Sequence, residues 1–271
     1  MSSPTVTYEN GQYYTYSPKV AHSKTASYYA GMKVAGIASA AVMATMPLYS
    51  KPFTKQIRKE HSFNIEYYNA LVKAYEKTGL KDLGLKLIDA SKSSVDKAVN
   101  EGTNAFYSPN TKSVVLNLKK ASASGFHEFG HALNNLTSKG ANFLQKLRAP
   151  GIAIASLMGT VALFSRFKPE DSKDNFMDML QKHCGEIAFV SLLPMVAEEG
   201  LASYKGIKMA KEAGLSEKLL GNLKKLYGKA LLSYLGYAVA TGLSVFVASR
   251  IMEYFTKMNK VEVSEENYFS K

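Results

Sequence analysis

The chain has 271 residues, enough for one large or two small domains with a buried core, and its 46% hydrophobic content is ordinary for a globular protein. Its net charge of +12 points to an acidic partner surface, and because the lysines carry no nucleic-acid fold signature, a lipid bilayer is expected as the partner and nucleic acid is not. The single cysteine, Cys184, excludes an internal disulfide and reads as a small buried apolar residue.

From Met1 to Tyr29 the chain is polar and tyrosine-rich, with Pro4, Gly11 and Pro18 and no sustained period, so residues 1–29 are expected to form a mostly irregular tail. Ala30 to Tyr49 is uncharged apart from Lys33, and residues 30–50 read as a tilted membrane anchor with Lys33 reaching the interface. The long preceding segment favours an uncleaved anchor over a signal peptide cut near Ala38, Ala40 or Ala44. Residues 51–271 are then expected to form a membrane-integrated domain.

The stretch from Lys51 to Lys120 is rich in charge and reads as water-exposed. Ile65, Tyr68, Leu71, Val72 and Tyr75 recur at helical spacing up to Gly79, and Leu83, Leu87, Ile88, Val95 and Val99 suggest one or two further helices ending near Gly102. The period then changes: Ala105 to Tyr107 and Ser113 to Leu118 predict a hairpin around the turn Pro109-Asn110-Thr111-Lys112. An exposed strand edge there can hold a peptide in extended form.

The hairpin leads into the pentapeptide His127-Glu128-Phe129-Gly130-His131. On a helix, residues four apart stack on one face, so the two imidazoles can converge on one metal ion with Glu128 beside it. Two imidazoles leave room for a third protein ligand and a water, and zinc lowers the pKa of that water to about 7. A neighbouring carboxylate can then take its proton as it attacks a carbonyl, which is the chemistry of peptide hydrolysis. Phe126, Phe129, Leu133 and Leu136 form an apolar stripe beside the histidine face, as expected of an active-site helix lying on a core.

Three more runs are nearly free of charge: Ala149 to Phe164, Cys184 to Ala197 with Glu186 and Pro194 inside it, and Ala230 to Ser249. The last is long enough to span a membrane on its own. Two to four spans are expected, with no readable orientation because lysine and arginine flank every run on both sides.

Two histidines need a third ligand. A metzincin would place glycine and histidine where Asn134 and Thr137 stand, so that class is excluded, and a carboxylate is the expected donor. Glu198 and Glu199 sit inside an apolar stretch, where burial is costly unless they meet a cation. Periodicity does not choose between them.

The string Glu199-Gly200-Leu201-Ala202-Ser203-Tyr204 is similar to the second motif of gluzincin peptidases, in which the glutamate of Glu-Gly-Phe-Ala is the zinc ligand. A wider resemblance, from about Gly79 to Tyr254, is to the YugP-like membrane zinc metallopeptidases of bacteria. It rests on Tyr107 to Val114, on His127 to Ala132, on Leu193-Pro194 leading to Glu199 with Ala202-Ser203 after it, and on Leu232-Ser233-Tyr234. The chain departs from that family where Ala105 and Phe106 replace Asp and His, where Leu201 replaces an acid, and in a longer stretch between Pro194 and the ligand.

The resemblance implies a mainly α, membrane-embedded gluzincin-like metalloprotease with a small β-hairpin, resident in the bacterial cytoplasmic membrane as a multi-pass protein. It implies Zn2+ held by His127, His131 and Glu199. Glu128 is the expected general base, and Tyr234 is a candidate to hydrogen-bond the oxyanion. The expected activity is endopeptidase cleavage of a protein or peptide substrate. The rival expectations are a non-enzymatic membrane scaffold or chaperone-like factor that keeps the fold, and a zinc hydrolase of non-peptide substrates.

Overall fold

The computed structural model describes residues 5–9, 12–16, 18–60, 63–92, 97–102, 104–164 and 176–268, and these are mainly helical. The elements run in chain order β1 (Thr5–Glu9), β2 (Gln12–Tyr16), α1 (Pro18–Met43), α2 (Met46–Glu60), α3 (Ile65–Lys77), β3 (Lys86–Asp89), α4 (Lys97–Asn100), β4 (Ala105–Ser108), β5 (Ser113–Leu116), α5 (Ser122–Thr137), α6 (Lys139–Leu163), α7 (Phe176–Lys182), α8 (Cys184–Glu212) and α9 (Glu217–Tyr268). The segment expected to be irregular carries β1 and β2, paired antiparallel, and α1 begins at Pro18. The strands read Thr-Val-Thr-Tyr-Glu and Gln-Tyr-Tyr-Thr-Tyr, and their β-branched and aromatic members favour extended backbone.

The chain divides into two compact units. One comprises Ala44–Ile154 and Phe189–Ala240. Its helix α3 starts where predicted, capped by the Asn64 side chain, which accepts from the backbone N–H groups of Glu66 and Tyr67, and it ends just before Gly79, whose φ is 70°. The buried face is rotated from the expected one: Tyr67, Ala70, Leu71 and Ala74 are inside, whereas Ile65 is exposed. Two alanines let the helix approach closely, and the Tyr67 hydroxyl finds a partner in the Leu219 carbonyl at 3.1 Å.

The helix expected across Leu87 and Ile88 is instead the strand β3, whose side chains alternate between exposed and half-buried. It pairs parallel to β5, so the predicted hairpin becomes a three-stranded sheet of order β3-β5-β4. Val95 lies outside the described residues. The hairpin itself is as expected, with Ala105 opposite Leu116 and Ser108 opposite Ser113. Among the described residues, one edge of β4 has no strand partner.

Phe126 and Phe129 of α5 are fully buried against Leu71, Leu116 and Leu223 in the core of this unit, with Leu133 and Leu136 packed on its margin. The apolar stripe therefore seats the histidine helix between α3, the sheet, α8 and the start of α9.

The second unit comprises Met1–Met43, Ala155–Ala188 and Thr241–Lys271. Small residues set its packing. A Cβ on Gly185 would lie 2.6 Å from the Phe246 Cβ, and Ser39 and Ser244 exchange side-chain to backbone hydrogen bonds of 3.0 and 3.2 Å. Cys184 is buried, as expected.

Among the described residues, three helical segments are long and apolar enough to cross a membrane: Ala26–Ile57, Cys184–Glu212 and Glu217–Thr256. Large apolar side chains stand exposed along them, among them Ile37, Leu48, Val190 and Leu243, which suits contact with lipid. Ala149 to Phe164 is not among the three, because α6 carries Lys146 and Arg148 just before it and its uncharged part is shorter than the ~20 residues a span needs.

Candidate metal centre

Helices α5 and α8 cross backbone to backbone. A Cβ on Gly130 would lie 2.0 Å from the Ala202 carbonyl oxygen, and one on Gly206 would lie 2.5 Å from the Phe126 carbonyl oxygen. The two contacts are one helical turn apart on each helix and run in opposite chain directions, so the helices are antiparallel here. With no side chain between them, residues flanking the crossing on α8 meet the histidines of α5 directly.

Three donors converge at that point. His127 Nε2 lies 3.0 Å from His131 Nε2 and 3.0 Å from Glu199 Oε2, and His131 Nε2 lies 3.5 Å from Glu199 Oε2. Tetrahedral ligands at zinc–ligand distances of about 2.0–2.1 Å stand about 3.3 Å from one another, so the spacing of this set fits a small divalent ion. His127, His131 and Glu199 can hold a metal.

The opposite ring nitrogens are held as well. A ring that offers Nε2 to a metal carries its proton on Nδ1, so His131 Nδ1 donates to Glu198 Oε1 at 2.8 Å and His127 Nδ1 donates to Ser203 Oγ at 3.2 Å. Asn134 Nδ2 donates to the same Glu198 oxygen at 2.9 Å. Adjacent residues on a helix point about 100° apart, so only one of the two acids can face the ion. Glu199 does so, and Glu198 reaches behind His131. Both are 1% exposed, and each meets a positive or proton-donating partner.

Arg148 on α6 completes the set, its Nη1 donating to Glu199 Oε1 at 2.8 Å. Burial works against its charge, but Glu199 beside it outweighs that and holds the guanidinium firmly protonated.

The donors open onto a cavity of about 310 Å³ that also receives Glu128, Tyr234 and Gln145. One wall is Asn104 to Tyr107, along β4; another is apolar, with Phe53, Ile57, Leu226 and Ala230. The backbone N–H of Tyr107 donates to the Glu128 carboxylate, which ties the acid to the strand edge. Burial raises the Glu128 pKa, and the two histidines oppose that only in part. A carboxyl pushed up in this way is better matched to exchanging protons near neutral pH. The Tyr234 ring lies 5.9 Å from the Arg148 guanidinium carbon, on the same wall as Glu199. Gln145 Oε1 is buried with no hydrogen-bond partner among the described residues.

Burial alone would lower the His131 pKa, but the hydrogen bonds to Glu198 and Glu199 outweigh it and bring it up to about 10 when no metal is bound. A metal takes the neutral ring, so loading must displace that proton. Apparent metal affinity is therefore expected to strengthen as pH rises toward 10, with proton release visible as a buffer-dependent heat in titration calorimetry. An affinity independent of pH between 6 and 9 contradicts it.

All five residues singled out from the sequence, His127, Glu128, His131, Glu199 and Tyr234, line this one cavity. Ser203 and Asn134 were passed over, although each lies on the inner face of its helix near a histidine or glutamate. Arg148 left no local signal, because it reads as a basic flank of an apolar run. Comparison with protein-family models, with curated proteins and with solved structures gives no match.

Proposed function

We propose that the chain is a membrane-anchored zinc endopeptidase of the gluzincin type, as its resemblance to the YugP-like metallopeptidases implies. The observation that supports this reading is a buried carboxylate, Glu128, that is not one of the three convergent donors but lines the same cavity, beside strand β4. Glu199 rather than Glu198 is the third ligand. The bacterial cytoplasmic membrane as its location follows from the resemblance alone, and three apolar helices support residence in a bilayer.

His127, His131 and Glu199 would hold a divalent ion such as zinc, which would supply Lewis acidity for the scissile carbonyl and lower the pKa of water to about 7. Glu128 takes the proton of the attacking water and later gives it to the leaving amine nitrogen as the C–N bond breaks. The Tyr107 N–H fixes which way that carboxylate points. An extended peptide laid along β4 would pair through the strand carbonyls, since the Tyr107 N–H is held by Glu128 and the Ala105 N–H by Asn104 Oδ1. The apolar wall of Phe53, Ile57 and Leu226 takes a large apolar side chain.

Tyr234, which lines the same cavity, is our candidate to donate to the carbonyl oxygen as charge develops on it. Tyr234→Phe is expected to lower turnover at unchanged metal content; unchanged turnover removes Tyr234 from the mechanism. The reading as a whole is tested with the full chain purified in detergent and an unfolded casein-like substrate. Cleavage that stops with a chelator and returns with zinc supports it, whereas metal-loaded protein that leaves a broad peptide library intact favours a scaffold role.

A further inference from the structure

Glu199 has two oxygens in different surroundings. Oε2 faces both histidine Nε2 atoms, at 3.0 and 3.5 Å. Oε1 is turned away from them and meets Arg148 Nη1 at 2.8 Å. The carboxylate is 1% exposed, while the arginine side chain is 40% exposed and arrives from α6, outside both motif helices. We propose that Arg148 is the positioning residue of the metal centre: by occupying Oε1 it makes Glu199 a ligand through Oε2 alone.

A carboxylate with both oxygens free readily binds a divalent ion through both, which raises the coordination number and fills the place that substrate needs. An oxygen already committed to a charge-assisted hydrogen bond is a poor second donor. Catalytic zinc sites work with three protein donors and an open position, and Arg148 keeps the donor count at three. Its positive charge also stands against the cluster formed by Glu128, Glu198 and Glu199. The guanidinium is itself restrained by the Tyr234 ring at 5.9 Å, which links the oxyanion candidate to the ligand. Lysine cannot reproduce this, because the planar fork holds the carboxylate oxygen and lies against the ring at once.

The inference rests on the metal reading of the same three donors. It is tested by loading the full-length protein with Co2+ and recording its visible spectrum and affinity in the wild type, Arg148→Ala, Arg148→Gln and Arg148→Lys, with thermal unfolding as the check on folding. Expected in the alanine and glutamine variants is a marked loss of intensity in the visible bands, the sign of a higher coordination number. Added guanidinium should restore the wild-type spectrum in Arg148→Ala, since the side chain is open to solvent, and Arg148→Lys should not match the wild type. Folded variants with a wild-type spectrum overturn the role of Arg148 and leave the metal reading standing. A wild type that takes up no Co2+ overturns the metal reading, and this inference with it.

Discussion

Glu128→Gln is expected to keep its metal and lose about a hundred- to ten-thousandfold in turnover. The substitution is nearly isosteric, and the amide oxygen can still accept from the Tyr107 N–H that holds the native carboxylate. Glu128 is not one of the three convergent donors, so the metal content measured by elemental analysis should stay at the wild-type level. What the amide lacks is a basic oxygen, and nothing else in the cavity wall replaces it: Glu199 is committed to Arg148 and the histidines, and Glu198 lies behind His131. Burying a neutral group is also easier than burying a carboxylate, so thermal stability should hold or rise. Casein cleavage by the variant at the wild-type rate would remove Glu128 as the base, and loss of metal would mean that the acid serves the ion directly.

The centre was legible in the sequence as far as its contacts are local. His127, Glu128 and His131 lie within one turn of one helix, so their spacing alone places them together. Glu199 lies 72 residues away. Its apolar surroundings signalled a costly buried acid, yet the choice between Glu198 and Glu199 needed the resemblance, because which neighbour faces inward depends on the rotation of α8 at the crossing. Arg148 could not be read at all: its partner is 51 residues away, and a lysine or arginine before an apolar run is common for other reasons. The same limit explains β3. A four-residue Lys-Leu-Ile-Asp string fits a helical pattern about as well as a strand, and the deciding fact is its parallel pairing with Ser113–Leu116.

Gly130→Ala should be damaging, although in the pentapeptide the glycine looks like a spacer. In an exposed helix, Gly to Ala stabilises by about 1 kcal/mol. Here the new Cβ would lie 2.0 Å from the carbonyl oxygen and 2.6 Å from the carbonyl carbon of Ala202, and these are backbone atoms that no rotamer change can move. Relief requires α5 and α8 to separate, and overpacking of this kind costs about 1–3 kcal/mol, so the sign of the substitution reverses. The separation also draws Glu199 away from His127 and His131, whose present spacing of 3.0 to 3.5 Å suits one ion. Metal affinity is therefore expected to fall by at least about tenfold, the loss seen when ligands are held off their geometry. Gly221→Ala is the control, since a Cβ there meets nothing within 4 Å, and it should be neutral or stabilising with metal binding intact. Thermal unfolding and metal titration of the two variants separate the cases. If Gly130→Ala matches Gly221→Ala in both, the close crossing of α5 and α8 is not what sets the ligand spacing.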